Sequence, residues 1–130
     1  MKVAFIMRGL PGSGKSTVAR NLSSPERIYS TDDLFMVNGR YCFAPKRLGE
    51  YHARNLERFK AGLTSGDNVV CDNTNSQSWE FEPYVKAARE AGYVVAFVSL
   101  PHPTDEECFE RNTHGVPLEV IQRMRQRWEN

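Results

Sequence analysis

Residues 9 to 17 read Gly-Leu-Pro-Gly-Ser-Gly-Lys-Ser-Thr, with the apolar run Val3-Ala4-Phe5-Ile6-Met7 just before them and a helix-compatible stretch from Val18 after. The pattern Gly-x-x-x-x-Gly-Lys-Ser between a strand and a helix is a phosphate-binding loop. Glycine reaches the φ > 0 conformations that turn successive backbone N–H groups inward around an anion. Gly12, Ser13 and Gly14 would line such a nest, Lys15 would reach the terminal phosphates, and Ser16 and Thr17 would open the helix with hydroxyls near a magnesium ion. A chain with this loop is constrained at once to an α/β fold in which a strand delivers phosphates to a helix N-terminus.

With 130 residues the chain is read as one domain, residues 1–130, able to bury roughly two thirds of the surface of its unfolded form. Its 17 basic and 16 acidic side chains give a net charge of +1, so bulk electrostatics neither require nor exclude a nucleic acid. Cys42, Cys71 and Cys108 are far apart and without metal-ligand spacing, which speaks against a disulfide framework or a zinc site and suggests a cytoplasmic setting. Residues 3 to 7 are too short for a signal-peptide core, and no run approaches a membrane span. No membrane association and no obligatory protein partner are expected.

Further along, strands are predicted at 3–7, 27–30, 68–71 and 93–100, and helices at 45–63, 77–90, 105–111 and 117–130. Alternating strands and helices imply right-handed crossovers and a short parallel sheet of about four strands, flanked by helices in three layers with a C-terminal lid. Ligands of such sheets sit beyond the carboxyl ends of the strands. The phosphate loop, Thr31-Asp32-Asp33 and Asp72-Asn73-Thr74-Asn75 should therefore converge there.

A phosphate loop by itself says that a nucleoside triphosphate binds. The chain lacks the Asn-Lys-x-Asp and Asp-x-x-Gly segments of a GTPase, and no Glu follows Asp72 to activate water as in a motor-type ATPase. A kinase needs a carboxylate to accept a hydroxyl proton, a magnesium site, and cations over the moving phosphoryl group. Asp32 or Asp33, Ser16 with Asp72, and Arg111 with its neighbours could supply these.

Taken together, Gly-x-Pro-Gly-Ser-Gly-Lys-Ser-Thr, Thr-Asp-Asp after the second strand, Asp-Asn-Thr-Asn after the third and Arg-Asn-x-His-Gly-Val-Pro at 111–117 resemble the kinase module of phage polynucleotide 5′-kinases and the related small AAA-like P-loop kinases, the last two segments its cellular branch. The resemblance spans nearly the whole chain. It implies ATP and Mg²⁺ as cofactors and transfer of the γ-phosphate to the 5′-hydroxyl of RNA or DNA, with a single-stranded nucleic-acid end as partner. It also implies Asp32 as general base, Lys15 and Ser16 on phosphates and metal, Asp72 in the metal shell, and Arg111 as the lid cation. Two positions depart from the phage pattern: Phe35 stands where an arginine grips the acceptor phosphate, and His114 where a second lid arginine precedes the glycine. Small-molecule kinases of the shikimate, gluconate or nucleotide-sugar type, and a non-catalytic nucleotide-binding module, are the alternatives.

Each candidate has a plainer reading. Asp32 and Asp33 could cap a helix beginning at Leu34, and Asp72 could close an Asx turn. Between Gly39 and Lys60, six cations against two carboxylates leave a net +4, which reads either as a solvated helix face with pairs such as Glu50–Arg54 or as an acceptor-strand groove with Tyr41 and Phe35 for base stacking. Arg123 and Arg127 lie one turn apart on the last helix and suit a solvated face better than a lid. Trp79, Phe81 and Trp128 are expected in the core, and His52 and His102 carry no functional assignment.

Overall fold

Alternation decides which way the first strand faces. In the computed structural model, which describes residues 2–130, β1 (Val3–Arg8) sends Ala4 and Ile6 to one side and Phe5 and Met7 to the other, and both sides are covered. Such burial on two faces is the condition for a parallel sheet. β1 pairs in parallel with β5 (Val69–Cys71) and β6 (Val94–Ser99), and β5 pairs with β2 (Ile28–Tyr29), giving the order β2-β5-β1-β6. The expected four-stranded sheet is thus present.

On one face, α2 (Leu48–Gly62) and α3 (Ser78–Glu90) bring Phe59, Tyr84, Ala87 and Ala88 onto Ala4, Ile6, Val69 and Cys71. Gly62 lets α2 approach closely, since a Cβ there would fall 2.2 Å from the Tyr29 hydroxyl. On the other face α1 (Lys15–Ala19) places Ala19 with Met7 and Val70. α4 (Asp105–Arg111) and α5 (Leu118–Gln126) form a third packing centre, Leu10, Cys108 and Ile121, at the end of the sheet where the loops gather. Cys42, Cys71 and Cys108 are free thiols, and no helix among the described residues is long and apolar enough to cross a membrane.

Several local expectations need correction. The segment after β2 is a 3₁₀ turn over Thr31–Phe35 led by Ser30, so no helix starts at Leu34 and neither Asp32 nor Asp33 caps one. β3 (Met36–Val37) and β4 (Arg40–Tyr41) form an unforeseen antiparallel hairpin. Its Asn38-Gly39 corner, with φ of 50° and 79°, is the strongest short hairpin signal a sequence offers. The last helix ends at Gln126 instead of Asn130, because the tail turns back: Glu129 N–H donates to the Ser76 carbonyl at 2.8 Å, and Arg8 donates to the Glu129 carbonyl with its guanidinium between the Trp128 and Phe81 rings, 4.9 Å from each. Trp79, placed in the core by its size, is 63% exposed at the first turn of α3.

Candidate functional site

Backbone geometry builds the phosphate loop first. Gly12 and Gly14 adopt φ of 80° and 98°. A Cβ on Gly12 would lie 2.4 Å from the Cys108 carbonyl, so the loop rests directly on α4. Gly9 has the same need for a different reason: a Cβ there would meet Ser13 Oγ at 2.4 Å and Lys15 Cγ at 2.8 Å. The helix begins at Lys15, one residue before the position expected from the motif.

Two asparagines bolt the neighbouring loops to it. Asn75 Nδ2 donates to the Met7 carbonyl at 2.7 Å, and Gly9 N–H donates to the Thr74 carbonyl at 3.2 Å. Asn73 Oδ1 accepts from Thr31 N–H at 2.9 Å, while Asp72 N–H donates to the Tyr29 carbonyl at 2.9 Å. Asp-Asn-Thr-Asn therefore works as a bracket that holds the three strand ends in register, and this explains why polar side chains occupy a buried stretch.

Asp72 is 7% exposed, with Oδ2 accepting from Ser16 Oγ at 3.0 Å and Oδ1 buried without a partner. It is not closing an Asx turn. Burial raises its pKa above the ordinary carboxylate value, opposed by Lys15 and the Ser16 hydroxyl. Lys15 is depressed from its ordinary value, mainly by desolvation, with the Asp72 and Asp32 carboxylates acting against that. An unpartnered carboxylate oxygen beside a hydroxyl and a cation, in a nest of N–H groups, suits a hydrated divalent ion and phosphates; Mg²⁺ needs few protein ligands because it keeps several waters.

Asp32 stands on the other side. Its Oδ1 accepts from the Tyr41 hydroxyl at 3.1 Å, and its Oδ2 lies 3.4 Å from His114 Nδ1. The Tyr41 and His114 rings are 4.4 Å apart. The hairpin and the loop after α4 thus meet over this carboxylate. Asp33 points elsewhere, 3.8 Å from Arg58. Behind Asp32 opens a cavity of about 220 Å³, walled mostly by apolar groups such as Phe43, Leu48, Val116, Val120 and Met124.

The remaining candidates separate. Gly12, Ser13, Gly14, Lys15, Ser16 and Thr17 form the loop and first turn of α1, and His114 reaches Asp32, but Arg111 is exposed and paired with Glu107 at 3.0 Å, away from the cavity wall. Phe35 is 1% exposed and packs on Phe43 and Tyr51 at 5.1 and 4.6 Å, so it is a core residue and no stacking platform. The basic stretch is a laced helix face: Arg47 pairs with Glu50, Lys60 with Glu57 and Arg58 with Asp33, while Arg54 lies over the Tyr51 ring. The expected Glu50–Arg54 pair is replaced by Glu50–Arg47. Arg127 is exposed, as the sequence suggested, but it also lines the cavity together with His52, which sequence reasoning left unassigned. Both are invisible to motif reading, because only the fold brings α2 and the end of α5 to the walls of one cavity.

The chain is similar in sequence and fold to known proteins. Human NEDD4-binding protein 2 is 41% identical over 135 residues, which takes in 98% of this chain but 8% of that protein, so the chain spans less than a tenth of its relative. Among solved structures, one chain of the Pnkp1/Rnl/Hen1 complex superposes with a TM-score of 0.64 at 26% identity, covering 85% of this chain and 38% of that one. A gluconokinase from Sinorhizobium meliloti superposes with a TM-score of 0.65 at 20% identity, covering 98% and 75%, a likeness of fold alone. This is a P-loop kinase-like fold, of a kind that binds nucleotides. The sequence profile described as an AAA domain matches residues 5–130, and the chain belongs to that family of P-loop domains.

Proposed function

We propose that the protein transfers the γ-phosphate of ATP to the 5′-hydroxyl end of RNA or DNA. The observation that carries this is the placement of Asp32, a partly exposed carboxylate at a cavity that opens beside the phosphate loop. A nucleotide-binding module has no use for a carboxylate set at a cavity beside its phosphate loop, whereas a kinase requires one.

Tyr41 fixes Oδ1 of Asp32, leaving Oδ2 to receive the proton. As the acceptor oxygen bonds to the γ-phosphorus, Asp32 takes its hydrogen and the bond from phosphorus to the diphosphate's bridging oxygen breaks. Lys15 and the loop N–H groups hold the phosphates in line, where positioning and charge stabilisation provide most of the rate. Ser16 and Asp72 would hold Mg²⁺, which supplies charge neutralisation on the phosphate oxygens when bound. His114, 3.4 Å from Asp32, must yield that oxygen when an acceptor enters, which frees its ring for the phosphates.

A sugar or sugar-acid kinase on the same scaffold is the rival. By area most of the cavity wall is apolar, which suits a flat ring better than a polyol. Labelled ATP with 5′-hydroxyl oligonucleotides of both kinds, set beside small hydroxyl acceptors, tests the choice. Transfer to oligonucleotides is expected; label on a small polyol alone would overturn the reading.

A further inference from the structure

A buried chain of polar groups ends at His52, on the wall of the acceptor cavity. Asn73 is fixed by its Oδ1 accepting from Thr31 N–H, so its Nδ2 is the donor that reaches Tyr84 Oη at 3.4 Å. Asn55 Nδ2 donates to the Tyr29 carbonyl at 3.3 Å and to the same Tyr84 oxygen at 3.0 Å. Two amide donors take up the acceptor capacity of that phenol. Burial pushes the Tyr84 hydroxyl up to about 12, so it keeps its proton. Thr31, held by that Asn73 contact, sets its Oγ1 3.2 Å from His52 Nδ1.

The Thr31 contact occupies Nδ1, so Nε2 is the nitrogen left to the cavity. Burial lowers the His52 pKa, with the Glu80 and Asp32 carboxylates opposing. The surroundings limit what that nitrogen can meet. At about 220 Å³ the cavity is below the roughly 300–1,000 Å³ of sites for drug-sized ligands, so it takes one ring system and not a length of strand. Apolar side chains of α5 and of the segments before α2 supply the faces for a flat ring, and His52 supplies a hydrogen-bonding edge group.

We propose that His52 is a specificity-determining residue, hydrogen-bonding through Nε2 to the polar edge of the acceptor's terminal nucleobase while the apolar walls take its faces. This rests on the polynucleotide-kinase reading of the same cavity. Recognition then belongs to the end unit alone, and Asn73 and Thr31 serve to hold the imidazole toward it.

The test replaces the acceptor atoms without changing shape. Oligonucleotides with a 5′-terminal thymidine are compared with ones carrying a difluorotoluene nucleoside at that position, and with others carrying it at the second position. Loss of one hydrogen bond should lower kcat/KM about threefold to tenfold for the terminal replacement, through KM, and leave the second-position replacement neutral. In His52→Phe the thymidine and difluorotoluene ends should become equivalent, whereas His52→Gln, which keeps a hydrogen-bonding group, should retain a preference. ATP KM should be unchanged in both. Equal use of the two ends by the unmodified protein, or a preference that survives His52→Phe, would overturn the proposal while leaving the kinase reading intact. Absence of transfer to any oligonucleotide would instead bring down the kinase reading itself.

Discussion

The phosphate-loop side and the acceptor side share one sheet edge and are built on opposite principles. On the first, backbone does the work: glycines at positive φ, a helix N-terminus, and loops fastened by Asn73 and Asn75, with charged groups held where burial disfavours their charge. On the second, side chains from distant segments meet: Tyr41 from the hairpin, His114 from the loop after α4, His52 from α2 and Arg127 beyond α5. The difference teaches that a rigid anion nest serves any substrate that brings phosphates, while the chemistry that chooses an acceptor is assembled separately. Each half should fail in its own way when disturbed.

Asp32→Asn is the strongest probe of the acceptor half. It keeps shape and the hydrogen bond from Tyr41 but not basicity, and turnover should fall by roughly 10²- to 10⁴-fold with ATP affinity unchanged. Calorimetry showing ATP affinity collapsing in this variant would move Asp32 to the nucleotide side and erase the distinction. Lys15→Ala probes the other half: a loss on the order of 10²- to 10³-fold is expected, with nucleotide binding weakened and the fold retained. A folded Lys15→Ala protein with full activity would remove the phosphate loop from the chemistry. Between these sits Tyr41→Phe, which releases one oxygen of Asp32 while the ring stays beside His114. A fall of about threefold to tenfold in kcat, with ATP KM constant, is expected for one orienting hydrogen bond; no change in kcat would make Tyr41 a wall residue only.

The same division governs what could be read from the residues alone. The four-stranded parallel sheet and the convergence of three loops followed from apolar runs separated by polar clusters, and the phosphate loop is a local motif whose function lies in its own backbone. Asp72 was legible as well, because it closes an apolar run at the sheet edge. The hairpin at 36–41 was missed although Asn38-Gly39 announced it, because its strands are two residues each and sit on no core. His52, Arg127 and the burial of Phe35 were beyond reach, since each depends on which segment packs on which. Charge counting misled over 39–60: sequence gives the number of cations there, and only geometry shows that most are spent on neighbouring carboxylates and rings.

That last point makes a smaller prediction. Lys46→Ala with Arg47→Ala should leave oligonucleotide KM nearly unchanged, because neither residue lines the cavity, where Arg127 is the cation at the wall. The salt dependence of oligonucleotide KM should be correspondingly shallow, no steeper than the log-log slope of about −0.7 that one phosphate contact gives on a single strand. A steeper slope that this double substitution flattens would mean that the acceptor tracks α2 after all, and the one-unit cavity would lose its standing.

The smallest effect concerns stability and reports on the acceptor half without any substrate. Desolvation holds His52 below its ordinary value of 6.5 in the folded protein, so between the two values the unfolded chain binds a proton that the folded one does not. Stability from this residue is therefore complete above pH 6.5 and declines as pH falls, until the folded-state value is reached. The decline cannot exceed about 1.4 kcal/mol per pH unit for one proton. Other titrating groups contribute too, but they are common to His52→Gln, whose amide stays neutral; the difference between the two proteins isolates the histidine. In urea titrations at pH 7 and pH 5, the unmodified protein should lose more stability than His52→Gln, and the gap should close toward pH 7. A gap of the opposite sign would place a charged imidazole in the folded cavity, beside Asp32 and Glu80, and the acceptor side would then be an ionic site like its neighbour and no longer its opposite.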